Sequence, residues 1–464
     1  MRLKELFSAR DMTLGAPWKR ILEFSIPMLL GNIAQQLYNT ADSVIVGYYV
    51  GDNALAAVGS ASPILNLLLA LFVGISTGAG IVVSQSFGAK DREGLSRGIG
   101  NCISLTVAAT VFIMVFGPMI TRPMLELLDT PDSIIDWCAD YLNIYFWGII
   151  GFFFYNMLSG ILRGLGDSMS ALGFLLLAAA LNVVLDLWFV AGFGMGVPGV
   201  ALATVISQGI SAVFCFIKLL RMSEHFDLNF STVRLEKEMA LRIIQIGVPS
   251  GITQAIMSMS MMVVQSLTNS MGEMIIAANV IIMRVDGFAM MPNFSFGQAM
   301  SVYSGQNVGA GRWDRVKKGV LQGSLIAIAF AAVIVVVLLF ANTYLFGIFT
   351  QTQALIDLAS QMMNIMAVGY LAVSITQVLG GILRGCGDTV TPMWITMLTT
   401  VALRIPVAYV LAYMTRSEAW PNGHPFSLSV SLLVSWTMGM ILSILAYRFG
   451  KTRKVILKNI QKGE

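Results

Sequence analysis

The chain has 464 residues, of which 56% are hydrophobic and only 12% are charged, with a net charge of +4 and a mean hydropathy of +0.76. This composition excludes a water-soluble globular protein, because too few polar side chains are present to cover a core of that size. We attribute the basic excess to segments beside a membrane and expect no nucleic-acid partner.

Apolar runs of about 20 residues, enough to cross a hydrocarbon core of roughly 30 Å as a helix, recur along the chain. They do not alternate polar and apolar residues as the strands of a membrane barrel do. We predict an all-α membrane protein with twelve transmembrane spans, numbered 1 to 12. They cover residues 21–50, 55–86, 99–120, 134–162, 171–193, 197–220, 243–271, 275–305, 320–346, 354–383, 393–413 and 428–449.

Basic residues predict the orientation of these spans, since Lys and Arg accumulate in cytoplasmic segments. All but four of the 29 Lys and Arg fall in the termini and in the even-numbered connections. Arg122 and Arg416 lie on the opposite side, and Arg284 and Arg404 lie inside spans. We predict a multi-pass protein of the cell (inner) membrane with both termini cytoplasmic.

An internal repeat predicts two related halves. Residues 160–167 read GILRGLGD and residues 381–388 read GILRGCGD, identical at seven of eight positions at an offset of 221. The same offset pairs Gln85 with Gln306 and Gly88 with Gly309. Six spans in each half place both in the same orientation, related by a pseudo-two-fold axis along the membrane normal. We predict an N-terminal lobe at 1–220, a cytoplasmic linker at 221–241, and a C-terminal lobe at 242–464 with a basic cytoplasmic tail.

The paired Arg-Gly-x-Gly-Asp motifs that end spans 4 and 10 are interpreted as tight turns. Their glycines permit a left-handed backbone, and the Arg and Asp of each motif can pair locally; a role in gating is the alternative. The four cysteines and two histidines show no spacing typical of a disulfide or of a zinc site.

Ionisable side chains inside spans are the candidates for function, since each is costly to insert into a bilayer. Asp42 in span 1 and Asp186 in span 5 lie at similar depths, about 13 Å and 10 Å from the outer surface at a rise of about 1.5 Å per residue. Asn182 lies one turn from Asp186 on the same face, and Thr204 in span 6 reaches a similar level. Gln35 lies two turns from Asp42. These five side chains form a predicted cation site.

Such a site suits a coupling ion. Burial and a neighbouring carboxylate both disfavour ionisation, so Asp42 is expected to take up and release a proton. The oxygens of Asp42, Asn182, Asp186 and Thr204 can instead coordinate Na⁺, and no other metal is expected. The alternative reading is a set of polar contacts that hold helices together.

The second half contributes three charged candidates. Arg284 and Asp286 are two residues apart in span 8 and face different sides of the helix, so each needs its own partner. Both are interpreted as gating residues or as members of structural ion pairs, and Arg404 as a counter-ion within its lobe.

Further residues are candidates for substrate contact and for movement. Aromatic rings can stack on organic cations, and flexible methionines adapt to varied ligands. The predicted substrate-lining residues are Tyr145, Trp147, Tyr155, Asn156, Met257 and Met261. Pro27 removes a backbone hydrogen bond in span 1 and is the predicted hinge.

Four features together resemble the multidrug and toxic compound extrusion (MATE) family of prokaryotic transporters. They are the paired GILRGxGD turns, the Gln-x-x-Gly-Ala boundaries at 85–89 and 306–310, LNVVLDLWFVAGFGMGVPGVALATVIS at 181–207, and MRVDGFAMMP at 283–292. The resemblance implies a V-shaped pair of lobes that exports organic, often cationic, compounds in exchange for H⁺ or Na⁺. It also implies that Asp42, Gln35, Asn182, Asp186 and Thr204 match the cation-site pattern of the family's N-terminal lobe.

One departure from the family concerns its sodium-coupled members, which carry acidic residues in spans 7 and 10. Residues 247–268 and 358–383 contain no acid. A sodium site in the C-terminal lobe is therefore not expected.

The predicted function is secondary multidrug efflux by alternating access, in a protein that acts as a monomer and is not an enzyme. No cofactor is expected, and the absence of the ATP-binding motif GxxxxGK[ST] argues against the use of ATP. The alternative is a flippase of lipid-linked precursors from the wider superfamily. A flippase favours a basic cavity for phosphate groups, whereas only Arg284 and Arg404 lie within spans.

Overall fold

A computed structural model describes residues 8–127, 130–229 and 232–462. Parts of the predicted termini and linker, residues 1–7, 230–231 and 463–464, lie outside the described residues. Helices dominate the described chain, which contains no strand. In chain order they are α1 Pro17–Tyr49, α2 Asp52–Gly88, α3 Arg92–Leu127, α4 Asp132–Trp147, α5 Ile149–Gly164, α6 Ser168–Asp186, α7 Gly196–Leu220, α8 Lys237–Ser270, α9 Glu273–Gly309, α10 Trp313–Gly347, α11 Gln353–Ala367, α12 Gly369–Gly385, α13 Val390–Thr396, α14 Ile405–Met414, α15 Phe426–Phe449 and α16 Lys451–Lys462.

The helices confirm the predicted all-α membrane fold. By length and composition, nine helical stretches of the described chain can cross a bilayer, or eleven if the bent pairs α4–α5 and α11–α12 each form one span. The remaining long helix, α1, spans 33 residues and corresponds to predicted span 1. Its central turns carry Gln35, Asn39 and Asp42, which lower its apolar character.

Predicted spans 4 and 10 are bent at equivalent positions of the repeat. α4 and α5 meet at 54° around Gly148, and α11 and α12 meet at 45° beside Gly369, which lies 221 residues further on. A Cβ atom at Gly148 would overlap Val205 of α7, and one at Gly369 would overlap Trp436 of α15. Each bend is therefore packed closely against a neighbouring helix.

The paired turns have the predicted backbone. Gly166 and Gly387 adopt left-handed φ angles of 85° and 92°. Asp167 accepts a hydrogen bond from the backbone N–H of Ser170 at 2.9 Å and so caps the N-terminus of α6. The local Arg–Asp pair that the motif allows does not form in the first turn, because Arg163 Nη1 donates to Ser159 Oγ at 2.8 Å instead.

Two compact units divide the described chain. Unit 1 contains the residues up to Asp11 and Pro27–Gly251, and unit 2 contains Met12–Ile26 and the residues from Ile252 onward. Each unit has its own apolar core. The predicted lobe boundaries at 220 and 242 stay a prediction, but they take no account of the start of α1, which packs within unit 2. There the Met12 N–H donates to Gln306 Oε1 at 2.8 Å, and the Trp18 N–H donates to Gln322 Oε1 at 3.0 Å.

Candidate functional site

Three helices of unit 1 form the candidate cation site. α1 supplies Asp42, α6 supplies Asn182 and Asp186, and α7 supplies Thr204. Asn182 and Asp186 are four residues apart, so they lie on one face of α6, and both are 0% exposed. Asp186 is the last residue of α6, and a π-helical segment, Leu187–Gly192, follows it. Such segments widen a helix and are frequent at functional sites.

The two carboxyl groups of the site face each other. The side chains of Asp42 and Asp186 are immediate neighbours, close enough for one proton to be shared between them, and no donor among the described residues contacts either Asp186 oxygen. Two ionised carboxylates have only acceptor atoms, so this approach requires a shared proton or a cation between the oxygens. The structure therefore brings together the two acids that the sequence places at a common depth.

The neighbouring polar atoms are incompletely satisfied. Asn182 Nδ2 donates to Thr204 Oγ1 at 3.3 Å, and Thr204 Oγ1 donates to the Val200 carbonyl at 3.1 Å. Among the described residues, no hydrogen-bond partner is found for Asp42 Oδ1, Asn182 Oδ1, or either carboxylate oxygen of Asp186. Buried oxygens without donors are costly unless something else binds them. A proton or a hard cation that prefers oxygen ligands, such as Na⁺, fits this set.

Two side chains that the sequence analysis missed complete the site. Tyr38, one turn before Asp42 and 9% exposed, directs its hydroxyl toward the side chains of Thr204 and Gln208. Gln208 lies one turn after Thr204 on α7, and its buried Oε1 has no partner among the described residues. The four-residue spacing from a named site residue was the signal available for both.

Gln35, the fifth predicted site residue, makes its hydrogen bond elsewhere. Its Nε2 donates to Asn39 Oδ1 on the same helix at 3.2 Å. The role of Gln35 at the cation site stays a prediction, as does that of Pro27, which lies in α1 where the chain passes from unit 2 to unit 1.

The predicted aromatic contacts are dispersed over α4 and α5. Tyr145 and Tyr155 are buried in the core of unit 1, whereas Trp147 is 61% exposed. The Asn156 side chain donates to the Phe152 carbonyl of its own helix at 2.9 Å. The structure does not bring these four residues together at one surface, and their role stays a prediction.

Unit 2 contains a separate cavity of about 350 Å³. Both predicted methionines, Met257 and Met261, line it, as do Asp286 and Arg404. The Tyr370 hydroxyl donates to Asp286 Oδ1. Arg284 is exposed and does not line the cavity. The two residues of span 8 therefore differ in surroundings, as their spacing predicts.

Known proteins match both halves of the chain. The MatE family profile matches residues 27–188 and 249–410, and these copies begin at Pro27 and Pro249. The probable multidrug resistance protein YoeA of Bacillus subtilis is 29% identical over 456 residues, which cover 96% of each chain. The probable multidrug resistance protein NorM of Thermotoga maritima is 25% identical, covering 85% of each chain. An outward-facing structure of a multidrug resistance MATE family transporter has a TM-score of 0.86 at 24% identity and covers 97% of this chain and 99% of that one.

Proposed function

This chain belongs to the MATE family, so it is a multi-pass membrane transporter and not an enzyme, and on that premise we propose that it extrudes drugs as a secondary antiporter. The exported compounds are organic and cationic, and H⁺ or Na⁺ moves in the opposite direction. Relatives named as multidrug resistance proteins support drug extrusion.

The approach of Asp42 to Asp186 is the observation that carries the proposed coupling. The pair lies in a largely buried pocket, where mutual repulsion of two negative charges is strong because the local dielectric is low. A cation between the carboxyls removes that repulsion. Loss of the cation restores it and favours separation of α1 from α6. Occupancy of the site therefore biases the conformation of α1.

Pro27 is the position at which α1 can bend in response to cation binding. It lies fifteen residues before Asp42 in the same helix and leaves one helical carbonyl without its backbone donor. In the proposed cycle, α1 changes its bend at Pro27 when the cation enters or leaves, and alternating access follows. No cofactor or ATP takes part.

We propose further that the protein lies in the cell (inner) membrane with both termini cytoplasmic and acts as a monomer. The distribution of Lys and Arg supports the orientation. Lipid and a small organic molecule are the partners that the function requires.

Transport by the purified chain in proteoliposomes tests the proposal. A fluorescent organic cation inside the vesicles is expected to leave faster when an inward H⁺ gradient or an inward Na⁺ gradient is imposed separately, and the gradient that acts identifies the coupling ion. Efflux that responds to neither gradient would refute antiport. Translocation of a lipid-linked precursor without dye efflux would favour a flippase.

A further inference from the structure

A row of polar side chains runs along one face of α7, from the cation site to the end of the helix on the proposed cytoplasmic side. Its members are spaced alternately four and three residues apart, which keeps them on one side of a helix. The row extends over about 21 Å at a rise of about 1.5 Å per residue. This polar stripe consists of Thr204, Gln208, Ser211, Cys215 and Lys218.

Both ends of the polar stripe contact α6. At one end, Thr204 accepts a hydrogen bond from Asn182, one turn before Asp186 at the C-terminal end of α6. At the other end, Lys218 Nζ lies 3.5 Å from Oδ2 of Asp167, which caps the N-terminus of α6. The stripe therefore connects the cation site with an ion pair at the opposite end of α6.

The middle of the polar stripe is buried but incompletely hydrogen-bonded. Gln208 and Ser211 are 5% and 0% exposed, yet Gln208 Oε1 and Ser211 Oγ have no partner among the described residues. A serine in a helix can satisfy its hydroxyl on a carbonyl three or four residues earlier, as Ser207 does on Thr204 at 2.9 Å. Side chains that held helices together by hydrogen bonds would not leave these two atoms without partners.

The part of α6 between the two contacts offers no partner to these atoms. Ala178 and Ala171 lie one and three turns before Asn182 on the same face of α6, and both are buried. Their methyl groups are short and carry no polar atom. Buried polar atoms that lack a protein partner are commonly satisfied by ordered water, which needs a polar site with room for it.

We propose that the polar stripe holds ordered water and relays protons between the cation site and the Asp167–Lys218 ion pair. Polar groups inside a membrane commonly mark such relays. A file of water molecules passes a proton from one hydrogen bond to the next, whereas a hard metal cation requires several oxygen ligands at every step. Asp42, which is partly exposed, exchanges with one aqueous phase, and the stripe leads to the other. The inference rests on the proposed function in one respect: the coupling ion is H⁺.

Dye efflux from proteoliposomes under an imposed H⁺ gradient tests the relay. The double variant Gln208→Leu/Ser211→Val replaces the two unpartnered side chains by apolar ones that occupy the place of the water. It is expected to slow efflux about tenfold, within the range for side chains along a coupling route. Ser211→Thr keeps a hydroxyl and should retain most of the wild-type rate. Ser207→Ala is the matched control, since its hydroxyl is equally buried but already bonded, and it should leave the rate unchanged.

Thermal unfolding in detergent separates a relay from a structural role. Removal of buried polar groups without partners is expected to keep the unfolding midpoint of the double variant at or above that of wild type, because their desolvation cost disappears. A lowered midpoint would show that the stripe has no room for water, and it would overturn the inference, as would an unchanged efflux rate in the double variant. Wild-type efflux that responds to a Na⁺ gradient alone would overturn the relay and leave the proposed antiport intact. Wild-type efflux that responds to neither gradient would refute the proposed function and the relay with it.

Discussion

At the scale of single residues, the cation site depends on two acids with unequal surroundings. Asp186 is fully buried at the end of α6, whereas Asp42 is partly exposed on α1. The cation is therefore expected to exchange with the aqueous phase at Asp42, while the charge of Asp186 adjusts the affinity of Asp42 for the cation. The two carboxyls are not interchangeable in this account.

Asp186→Asn tests that division of roles. It keeps the shape of the side chain but removes one negative charge, so the cation at Asp42 should bind more weakly. Export at a saturating gradient is expected to persist, with a half-maximal cation concentration raised by about tenfold, as for a lost close charge. Proteoliposome efflux measured against cation concentration gives this value. Complete loss of export, with thermal stability preserved, would assign the exchange step to Asp186 instead.

The sequence predicts some of these residues and not others. Asp42, Asn182, Asp186 and Thr204 are accessible to prediction because depth and helical spacing are properties of a single helix. Tyr38 was missed because neutral polar side chains are common in spans. The shared cavity of Asp286 and Arg404 was missed for another reason. The two residues are brought together by packing of α9 against distant elements, which no local pattern encodes.

At the scale of elements, the bends at Gly148 and Gly369 are features that a continuous apolar pattern does not predict. The runs through spans 4 and 10 remain hydrophobic across Gly148 and Gly369, so sequence predicts unbroken helices. The bends are associated with tight contacts to Val205 and Trp436 from other parts of the chain. Their positions agree with the repeat, but their angles depend on tertiary packing.

Gly148→Ala is predicted to destabilise the protein, because the added methyl group overlaps Val205. Overpacking of this kind typically costs about 1–3 kcal/mol. Thermal unfolding in detergent should show a lower midpoint. Gly209→Ala on α7 is a matched control, since no atom lies within 4 Å of its added Cβ. Equal midpoints for the two variants would contradict the packing explanation of the bend.

The linker is held to the start of α3 by an ion pair outside the membrane spans. Arg97 Nη2 lies 2.6 Å from Glu236 Oε2, and Arg234 Nη2 lies 2.8 Å from Glu236 Oε1. The hydrogen bond from Arg97, with a further one from Arg234, lowers the pKa of Glu236. Because the pKa of Glu236 is lower in the folded protein, the ion pair stabilises the fold at pH values above the pKa that Glu236 has in the unfolded chain. This stabilisation is lost as the pH falls through the pKa of Glu236 in the folded protein.

Hydrogen exchange of residues 232–236 should therefore increase as the pH falls below about 4, after correction for the intrinsic exchange rate. Glu236→Gln is expected to show the faster exchange already at neutral pH and to lose the acid-dependent increase. Identical profiles for the variant and the wild type would show that the linker is held by other contacts.

At the scale of the whole molecule, the number of spans and the duplication are predicted well, because hydropathy and repeated motifs extend over the full chain. The two copies of the matched family profile begin at Pro27 and Pro249, 222 residues apart, within one residue of the 221-residue offset of the repeat. The unit boundary within α1 was not predicted. It depends on contacts such as Met12 to Gln306, between residues 294 positions apart.

Orientation can be tested with two single cysteines in a background without native cysteine. Glu224→Cys lies in the linker and Glu418→Cys between α14 and α15, and both positions are exposed. An impermeant thiol reagent applied to intact cells is expected to label Glu418→Cys and to label Glu224→Cys only after permeabilisation. The reverse pattern would invert the proposed topology.

The central claim is that export is coupled to a cation held between Asp42 and Asp186. Asp42→Asn keeps the size of the side chain but can neither release a proton nor offer a charge to Na⁺. The control is Asp132→Asn, an exposed acid at the start of α4.

The decisive measurement is gradient-driven dye efflux from proteoliposomes that contain wild type, Asp42→Asn or Asp132→Asn at matched protein amounts. The account predicts that Asp42→Asn abolishes the response to the coupling gradient while its thermal unfolding midpoint stays near that of wild type, and that Asp132→Asn behaves as wild type. A wild-type efflux rate and gradient response in Asp42→Asn would contradict the account and place the coupling ion elsewhere.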